Sequence, residues 1–146
     1  MHPPRPRRRR LSSVSEEDPV IESLKEALSG RQDIRLAILF GSRARGRARP
    51  GSDADVAVLG DNLDLLALAA DLSDASRVEV DVVSLDDPGY PLLNAVLRDG
   101  IVLYERERYA DASWRTRAIL QAETDRPGWE RMRDSFLRRL AEGRHG

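Results

Sequence analysis

The sequence predicts an α/β (α+β) domain in which a small sheet is flanked by helices and followed by a helical C-terminal tail. Short apolar segments of strand length alternate along the chain with segments whose apolar residues recur at helical spacing. Clusters of Asp, Pro and Gly separate some of these segments, as expected for turns. With 146 residues, of which 40% are hydrophobic, the chain is long enough for one compact domain with a modest core.

The order of the predicted elements follows from these patterns. Residues 1–14 are rich in Pro, Arg and Ser and are predicted to form a disordered basic tail. Ser15 opens the sequence Ser-Glu-Glu-Asp, a capping pattern that predicts the start of a helix, and Gly30 is predicted to stop that helix. Its apolar residues lie at helical spacing: Val20, Ile21, Leu24, Ala27 and Leu28. The pattern then predicts strands at 34–40, 54–59, 77–84 and 101–104, and helices at 63–72 and 91–97.

The C-terminal part of the chain has a helical pattern from residue 105 onward. Arg126-Pro127-Gly128 predicts an interruption, because proline lacks the amide donor of a helix interior. Beyond it, apolar residues form one stripe: Trp129, Met132, Phe136, Leu137 and Leu140. This stripe packs on the domain or docks on a partner, and we favour a core position for Trp129 and Phe136.

Charge is distributed unevenly along the chain. The formal net charge is −1, and five N-terminal arginines contribute +5, so residues 11–146 sum to −6. An acidic body argues against a general nucleic-acid-binding protein, which needs a basic face to neutralise phosphates. The five arginines could act as an electrostatic arm for RNA or an acidic partner, but we favour a solvated tail without function: Arg5, Arg7, Arg8, Arg9 and Arg10.

The composition also bears on the cellular location. No apolar run is long enough to span a bilayer, and no apolar stretch of a secretory signal follows the basic N-terminus. The absence of cysteine excludes disulfides and thiolate metal sites. We therefore expect a cytoplasmic protein without a membrane partner.

Two carboxylates lie close together at the start of the strand predicted at 54–59. Asp53 and Asp55 are two residues apart, so their side chains point to the same face of an extended chain. Adjacent anions repel each other, and a hard divalent cation such as Mg2+, which prefers carboxylate and phosphate oxygens, best explains the pair. In isolation the two residues could cap a turn and lie at an exposed strand edge, but the preceding loop favours a metal site.

That loop has the features of a phosphate-binding segment. Gly41-Ser42 ends the strand at 34–40 and allows backbone amides to approach a triphosphate closely. Four arginines follow: Arg43, Arg45, Arg47 and Arg49. Their guanidinium groups suit phosphate oxygens, with Arg43 and Arg45 the favoured contacts, although the loop could simply be solvated surface. Together with the two carboxylates, these residues indicate phosphoryl or nucleotidyl transfer.

At these positions the chain resembles the minimal MNT-type nucleotidyltransferases of the DNA polymerase β superfamily. The match consists of Gly41-Ser42, ten intervening residues and Asp53-Ala54-Asp55, and it extends to VEVDVVSLDD (78–87) and GIVLYERE (100–107). Ala54 departs from the pattern, since a larger aliphatic residue is usual there. The resemblance implies a polymerase β-like fold with a small mixed sheet. The resemblance covers roughly residues 33–107. Together with the composition and the helical pattern, it predicts three parts: a disordered tail at 1–14, a nucleotidyltransferase domain at 15–107 and a helical extension at 108–146.

The resemblance places the third carboxylate of the superfamily on Asp81. Strand alternation puts Asp81 and Glu79 on the same face, so the pattern alone allows either. We favour Asp81, which lies nearer the end of the strand, where sites in open α/β sheets gather. The resemblance implies that two Mg2+ ions are held by Asp53, Asp55 and Asp81. It further implies nucleotide contacts from Gly41, Ser42, Arg43, Arg45 and Ser52.

The function implied by the resemblance is Mg2+-dependent transfer of AMP from ATP to a hydroxyl group. Characterised MNT-type proteins are antitoxins that transfer AMP to a tyrosine of a HEPN-domain ribonuclease toxin encoded nearby, and this chain is similar to them in its minimal domain and acidic body. A small-molecule nucleotidyltransferase of the aminoglycoside type is the alternative within the enzymes, although those relatives carry a sizeable C-terminal domain. An antitoxin that acts by binding alone is a third hypothesis, against which the intact carboxylates argue.

Overall fold

A four-stranded mixed sheet lies at the centre of the computed structural model, which describes residues 18–143. Its strands are β1 (Ile34–Phe40), β2 (Ala54–Gly60), β3 (Val80–Ser84) and β4 (Ile101–Glu105). They lie in the order β3-β2-β1-β4. Strand β1 is antiparallel to β2 and to β4, whereas β2 and β3 are parallel. The predicted small mixed sheet is confirmed, and the predicted basic tail lies outside the described residues.

Helices flank this sheet: α1 (Pro19–Leu28), α2 (Leu65–Ser76), α3 (Tyr90–Asp99) and α4 (Ala110–Gly143). The carboxylate of Asp18 caps α1 by accepting a hydrogen bond from the Val20 amide at 3.0 Å. Asp64 caps α2 in the same way, with the Ala67 amide at 3.1 Å. Helix α2 also supplies the crossover that the parallel pair of β2 and β3 requires. Within the described range, no helix combines the length and the apolar character needed to cross a bilayer.

The sheet is covered on both faces, because successive residues of a strand point to opposite sides. One face packs against α1 and α2, and its buried residues include Ala37, Leu39, Val56, Val58, Leu24 and Leu72. The other face packs against α3 and α4, and its buried residues include Leu36, Ile38, Ala57, Leu93, Val96 and Trp114. Residues of β2 therefore alternate between two cores, which determines the face on which each aspartate lies.

Several predicted boundaries differ from the observed ones. Helix α1 begins at Pro19 with Asp18 as its cap, and Ser15, the predicted start, lies outside the described residues. Helix α2 continues to Ser76, beyond the predicted end at residue 72, and Arg77 follows in the left-handed conformation with φ 64°. Because the chain uses residues 77–79 to turn out of this helix, β3 begins at Val80 and not at the predicted residue 77.

The predicted interruption of the C-terminal helix at Arg126-Pro127-Gly128 is wrong. Helix α4 runs through Pro127 without a break. Proline removes one amide donor from the helix, but the turns on either side keep theirs. A salt bridge joins Arg126 to Glu123 before the proline, and the ring of Trp129 lies 5.4 Å from that of Tyr90 of α3 after it. These contacts support the helix on both sides of Pro127.

The second half of α4 projects beyond the packed part of the molecule. The first half is buried through Trp114, Ala118 and Ala122, whereas residues 131–143 are all exposed. The predicted core position of Phe136 is therefore wrong, since its side chain is 51% exposed. Trp129 is half-buried against Tyr90. The physical reason is that the first half of the helix already covers this face of the sheet.

Candidate active site

Strand pairing brings the predicted carboxylates to one end of the sheet. Phe40 at the end of β1 pairs with Asp55 of β2, and Asp55 pairs in turn with Asp81 of β3. Residues paired in neighbouring strands point to the same side of a sheet. For Asp55 this is the side of Ala57, on which α3 and α4 pack. The side chains of Asp55 and Asp81 are therefore neighbours on adjacent strands.

The strand register distinguishes between the two candidates for the third acid. Asp81 is the residue opposite Asp55, whereas Glu79 precedes β3. The backbone carbonyl of Glu79 accepts a hydrogen bond from the Ala54 amide at 2.9 Å, which fixes the start of β2. Asp53 immediately precedes that strand and is exposed. The chain thus places Asp53, Asp55 and Asp81 at the same end of the sheet.

Asp55 lies in an environment that disfavours its ionised form. Burial raises the pKa of Asp55 above its usual value, and the nearby carboxylates of Asp81 and Asp53 raise it further. Across residues 18–143, none of the three forms a salt bridge. Among the described residues, no cationic side chain contacts these carboxylates directly, so this part of the structure holds an excess of negative charge at one end of the sheet.

Gly41 brings the loop backbone directly against Asp55. The φ angle of Gly41 is +81°, a conformation that favours glycine, and a Cβ atom at this position would lie 2.6 Å from Oδ2 of Asp55. Any other residue would be strained by its backbone and would collide with the carboxylate. The glycine predicted from sequence as a phosphate-loop residue is thus also required by the position of Asp55.

The loop between β1 and β2 is held by its own hydrogen bonds. Carbonyl groups of Gly41, Ser42 and Arg43 accept bonds from the amides of Arg45, Arg47 and Gly46, respectively, at 3.0 to 3.2 Å. At the other end, the Ser52 hydroxyl oxygen accepts a hydrogen bond from the Arg49 amide at 2.9 Å, and the Ser52 amide donates to the Arg49 carbonyl. Ser42 therefore lies in the first turn of the loop and Ser52 closes its last turn.

Arg43 contacts groups of the protein itself. Its side chain is only 5% exposed, and Nη1 lies 3.1 and 3.2 Å from the two carboxylate oxygens of Asp18. Nη2 donates to the carbonyl oxygen of Ser52. Both Nη groups of the guanidinium thus donate to acceptors of the protein itself. The sequence pattern gave no sign of Asp18 as a partner, because the two residues are 25 positions apart.

Arg45 connects the same loop to α3. Its Nη1 lies 2.8 Å from Oδ2 of Asp99, which also accepts hydrogen bonds from Arg98. The bond from Arg98 lowers the pKa of Asp99, and the bond from Arg45 lowers it further. The side chain of Arg45 is more exposed than that of Arg43, so it remains accessible to a ligand. Sequence patterns do not predict Asp18 and Asp99 as residues of this region, because their arginine partners are distant in the chain.

The aspartates offer the oxygen ligands that hard divalent cations prefer. In the part of the chain that the structure describes, no three His, Cys, Asp or Glu side chains are arranged as a complete metal site. Mg2+ at nucleotide sites is commonly held by one or two carboxylates, with phosphate and water oxygens completing its shell. The paired Asp55 and Asp81, with their excess negative charge, fit this mode of binding.

An open groove of about 630 Å³ lies on the N-terminal side of the loop. Asp18, Arg43 and Arg49 are among its lining residues, together with Pro19, Val20 and Pro50. None of the three aspartates at the sheet end lines it. The groove and the carboxylates are therefore separate features of the site region.

Comparison with known proteins agrees with this fold. The family model for "Polymerase beta, Nucleotidyltransferase" matches residues 22–109. No curated protein sequence is significantly similar to the chain. Solved structures do match it, and the ones described next cover nearly the whole length of their own chains.

Three of these structures are toxin–antitoxin complexes. A complex with AMP-PNP contains a chain 24% identical to this one, with a TM-score of 0.68 over 80% of this chain and 98% of the other. A mutant MntA-HpeT complex gives 26% identity and a TM-score of 0.64 over 83% and 97% of the two chains. A tri-AMPylated Shewanella oneidensis HEPN toxin in complex with MNT antitoxin gives 22% identity and a TM-score of 0.60, over 84% of this chain and 98% of the other. The fold predicted from the sequence is confirmed.

Proposed function

Because the chain belongs to the polymerase β family of nucleotidyltransferases, we propose that it transfers AMP from ATP to a hydroxyl group of a partner protein, with release of pyrophosphate. The proposed acceptor is a tyrosine of a HEPN-type ribonuclease toxin, and the protein is then its antitoxin. Support comes from similar structures that are toxin–antitoxin complexes, one with AMP-PNP and one with an AMPylated HEPN toxin. The observation that carries the proposal is the Asp55–Asp81 pair beside the Gly41 turn.

The proposed roles of the residues follow from their positions. Asp53, Asp55 and Asp81 are the candidate ligands of Mg2+, which, when bound, would offset charge on phosphate oxygens and lower the pKa of an attacking hydroxyl. Asp81 lies on the edge strand of the sheet and is exposed, and we assign it the further role of accepting a proton from a protein hydroxyl.

The loop residues are proposed to position the nucleotide. Gly41 and Ser42 lie at the first turn of the loop. Because Gly41 has no Cβ atom, the backbone at this turn can approach both Asp55 and a phosphate group. Arg45 is accessible and can contact phosphate while remaining near Asp99. Ser52 holds the end of the loop next to Asp53.

A macromolecular acceptor fits the open arrangement of the carboxylates. Asp53 and Asp81 are exposed, and the groove of about 630 Å³ does not include them. An enzyme that modifies a small molecule needs an enclosing pocket beside its reactive groups. A partner protein supplies its own surface, so an exposed carboxylate cluster is sufficient.

Intact-mass spectrometry of the partner tests this proposal. The purified chain is incubated with ATP, Mg2+ and the small helical protein encoded next to it, and we expect one or more AMP units on that protein. Asp55→Asn should slow transfer about a hundredfold or more, because it removes a charge that stabilises the transition state. Asp74→Asn makes the same change at an exposed position of α2 and should transfer at the wild-type rate.

Other outcomes would favour the alternative functions. An unmodified partner together with adenylylation of an aminoglycoside would favour a small-molecule enzyme. A partner that loses nuclease activity on binding, without gaining mass, would favour an antitoxin that acts by binding alone. Wild-type transfer by Asp55→Asn would contradict the proposed carboxylate site.

A further inference from the structure

We propose that Arg43 is a positioning residue of the transfer site, acting through its buried contacts with Asp18 and the Ser52 carbonyl. This inference rests on the proposed nucleotidyl transfer and deepens it. The residue would act on the geometry of the loop and not on the phosphates. Its two contacts form what we call the arginine clamp: Asp18, Arg43 and Ser52.

The clamp joins the two ends of the loop that carries the site. Arg43 lies two residues after Gly41, and Ser52 immediately precedes Asp53. The hydrogen bond from Nη2 to the Ser52 carbonyl therefore fixes the Gly-Ser turn relative to the start of β2. A displacement of either segment would separate the proposed phosphate-binding turn from the proposed metal ligands, and small errors in such positions are costly for catalysis.

Asp18 fixes the orientation of the guanidinium group. Both of its carboxylate oxygens accept hydrogen bonds from Nη1, and Oδ1 also accepts one from the Val20 amide. The carboxylate therefore links the first turn of α1 to the loop. Since the Arg43 side chain is 5% exposed, a neutral residue at position 18 would leave a buried cation without its counterion.

The shape of the guanidinium explains why arginine is required. Its planar fork presents separate donors to Asp18 and to Ser52 in a fixed geometry. A lysine at this position would keep the charge but could not span both acceptors with the same geometry. We therefore expect Arg43→Lys to retain the fold and to have transfer rates between those of the wild type and a neutral variant.

A double-mutant cycle tests the clamp. Asp18→Asn keeps a good helix cap but removes the charge, and Arg43→Gln removes the cation. Each single variant should lower kcat about tenfold or more and change the KM for ATP less than about threefold. The double variant should be no slower than the slower single variant, because both changes break the same interaction.

Asp64→Asn is the matched control. It makes the same substitution at the N-cap of α2, and Asp64 has no arginine partner within residues 18–143. Its kcat should equal that of the wild type. Hydrogen exchange of amides in residues 41–53 provides a second measurement that does not depend on activity. Exchange should be about tenfold faster in Asp18→Asn and in Arg43→Gln, and unchanged in Asp64→Asn.

Two results would overturn the clamp. In one, Asp18→Asn matches the wild type in transfer and exchange while Arg43→Gln raises the KM for ATP, which would make Arg43 a phosphate ligand. In the other, the losses of the single variants multiply in the double variant, which would make their roles independent. If the wild-type chain transfers no AMP at all, the proposed function fails, and the exchange measurements still decide whether the clamp holds the loop.

Discussion

Asp55 is held in the folded chain against an electrostatic cost. Its carboxylate is partly buried and lies near two other carboxylates, and both effects raise its pKa. Folding at neutral pH must bring these negative charges together without a salt bridge among the described residues to offset them. Perturbed ionisable groups of this kind are concentrated at functional sites. The apolar core must supply the stability that keeps the three carboxylates close together.

The pH dependence of stability should report this cost. Because the folded chain holds the Asp55 proton more tightly than the unfolded chain, the ionised carboxylate destabilises the fold at neutral pH. Asp55→Asn should therefore have a higher free energy of unfolding than the wild type at pH 7. The difference should shrink as the pH falls through the raised pKa of the folded state, where the wild-type carboxylate becomes protonated. Urea unfolding of both proteins from pH 7 to pH 4 measures it.

Asp99→Asn is the control with the opposite sign. The hydrogen bonds from Arg98 and Arg45 lower the pKa of Asp99, so its ionised form stabilises the fold at neutral pH. The variant should be less stable than the wild type at pH 7, and its deficit should disappear only in strong acid. A lower stability of Asp55→Asn at pH 7 would contradict the electrostatic account of this site.

Gly41 allows the backbone strain and the contact with Asp55 to be separated. Gly30 has nearly the same φ, +80°, but a Cβ atom there would meet nothing within 4 Å. Gly30→Ala should lower the free energy of unfolding by about 1 to 2 kcal/mol, because alanine is strained in the left-handed conformation. Gly41→Ala should lower it by about 1 kcal/mol more, because Asp55 must move to accommodate the methyl group. Its AMP transfer should also fall more than about tenfold, whereas Gly30→Ala should keep the wild-type rate. Equal effects of the two substitutions would show that the contact with Asp55 is unimportant.

The positions of some candidate site residues can be predicted from the sequence, whereas the contacts of others cannot, for a physical reason. The positions of Gly41, Asp53 and Asp55 follow from local rules, since a turn glycine and strand alternation act over a few residues. The partners of Arg43 and Arg45 lie 25 and 54 positions away, and ion pairs at such separations leave no periodic signal. An arginine in a phosphate-like loop and an arginine in a buried clamp therefore look alike in the sequence.

At the level of elements, the buried strands were the most predictable. Strand β1 was predicted with its observed ends, because continuous apolar runs bounded by turn residues are a strong signal. The start of β3 is predicted too early, at residue 77, because apolar and polar residues already alternate from there. In the structure, Arg77 is instead the left-handed cap of α2. The continuity of α4 through Pro127 was missed because the penalty of a proline is local, whereas the contact of Trp129 with Tyr90 comes from tertiary structure. Tertiary contacts thus account for the errors in both elements.

The whole molecule consists of a packed body and a helix end that extends from it. The apolar spacing that buries Trp114, Ala118 and Ala122 in the first half of α4 continues in the second half through Met132, Phe136 and Leu140, which are exposed. A hydrophobic pattern shows that a face is apolar but not what covers it. For this reason the sequence predicts the apolar stripe, whereas the core position favoured for Phe136 is wrong.

Because the two halves of α4 are buried to different extents, alanine substitutions along this helix should have unequal effects on the free energy of unfolding. Phe136→Ala combined with Leu140→Ala should change the free energy of unfolding by less than about 0.5 kcal/mol, because both side chains are about half exposed and contact no core. Trp114→Ala is the matched control: it removes a large apolar side chain from the same helix, buried against the sheet, and should cost about 3 to 5 kcal/mol. Alanine is the best helix former, so none of the three substitutions loses helix propensity, and a loss of stability reports packing. Urea unfolding of the isolated chain at two protein concentrations makes the measurement. A loss near that of Trp114→Ala would mean that the second half of α4 packs on the body in solution, and a loss only at the higher concentration would mean that it packs on a second copy.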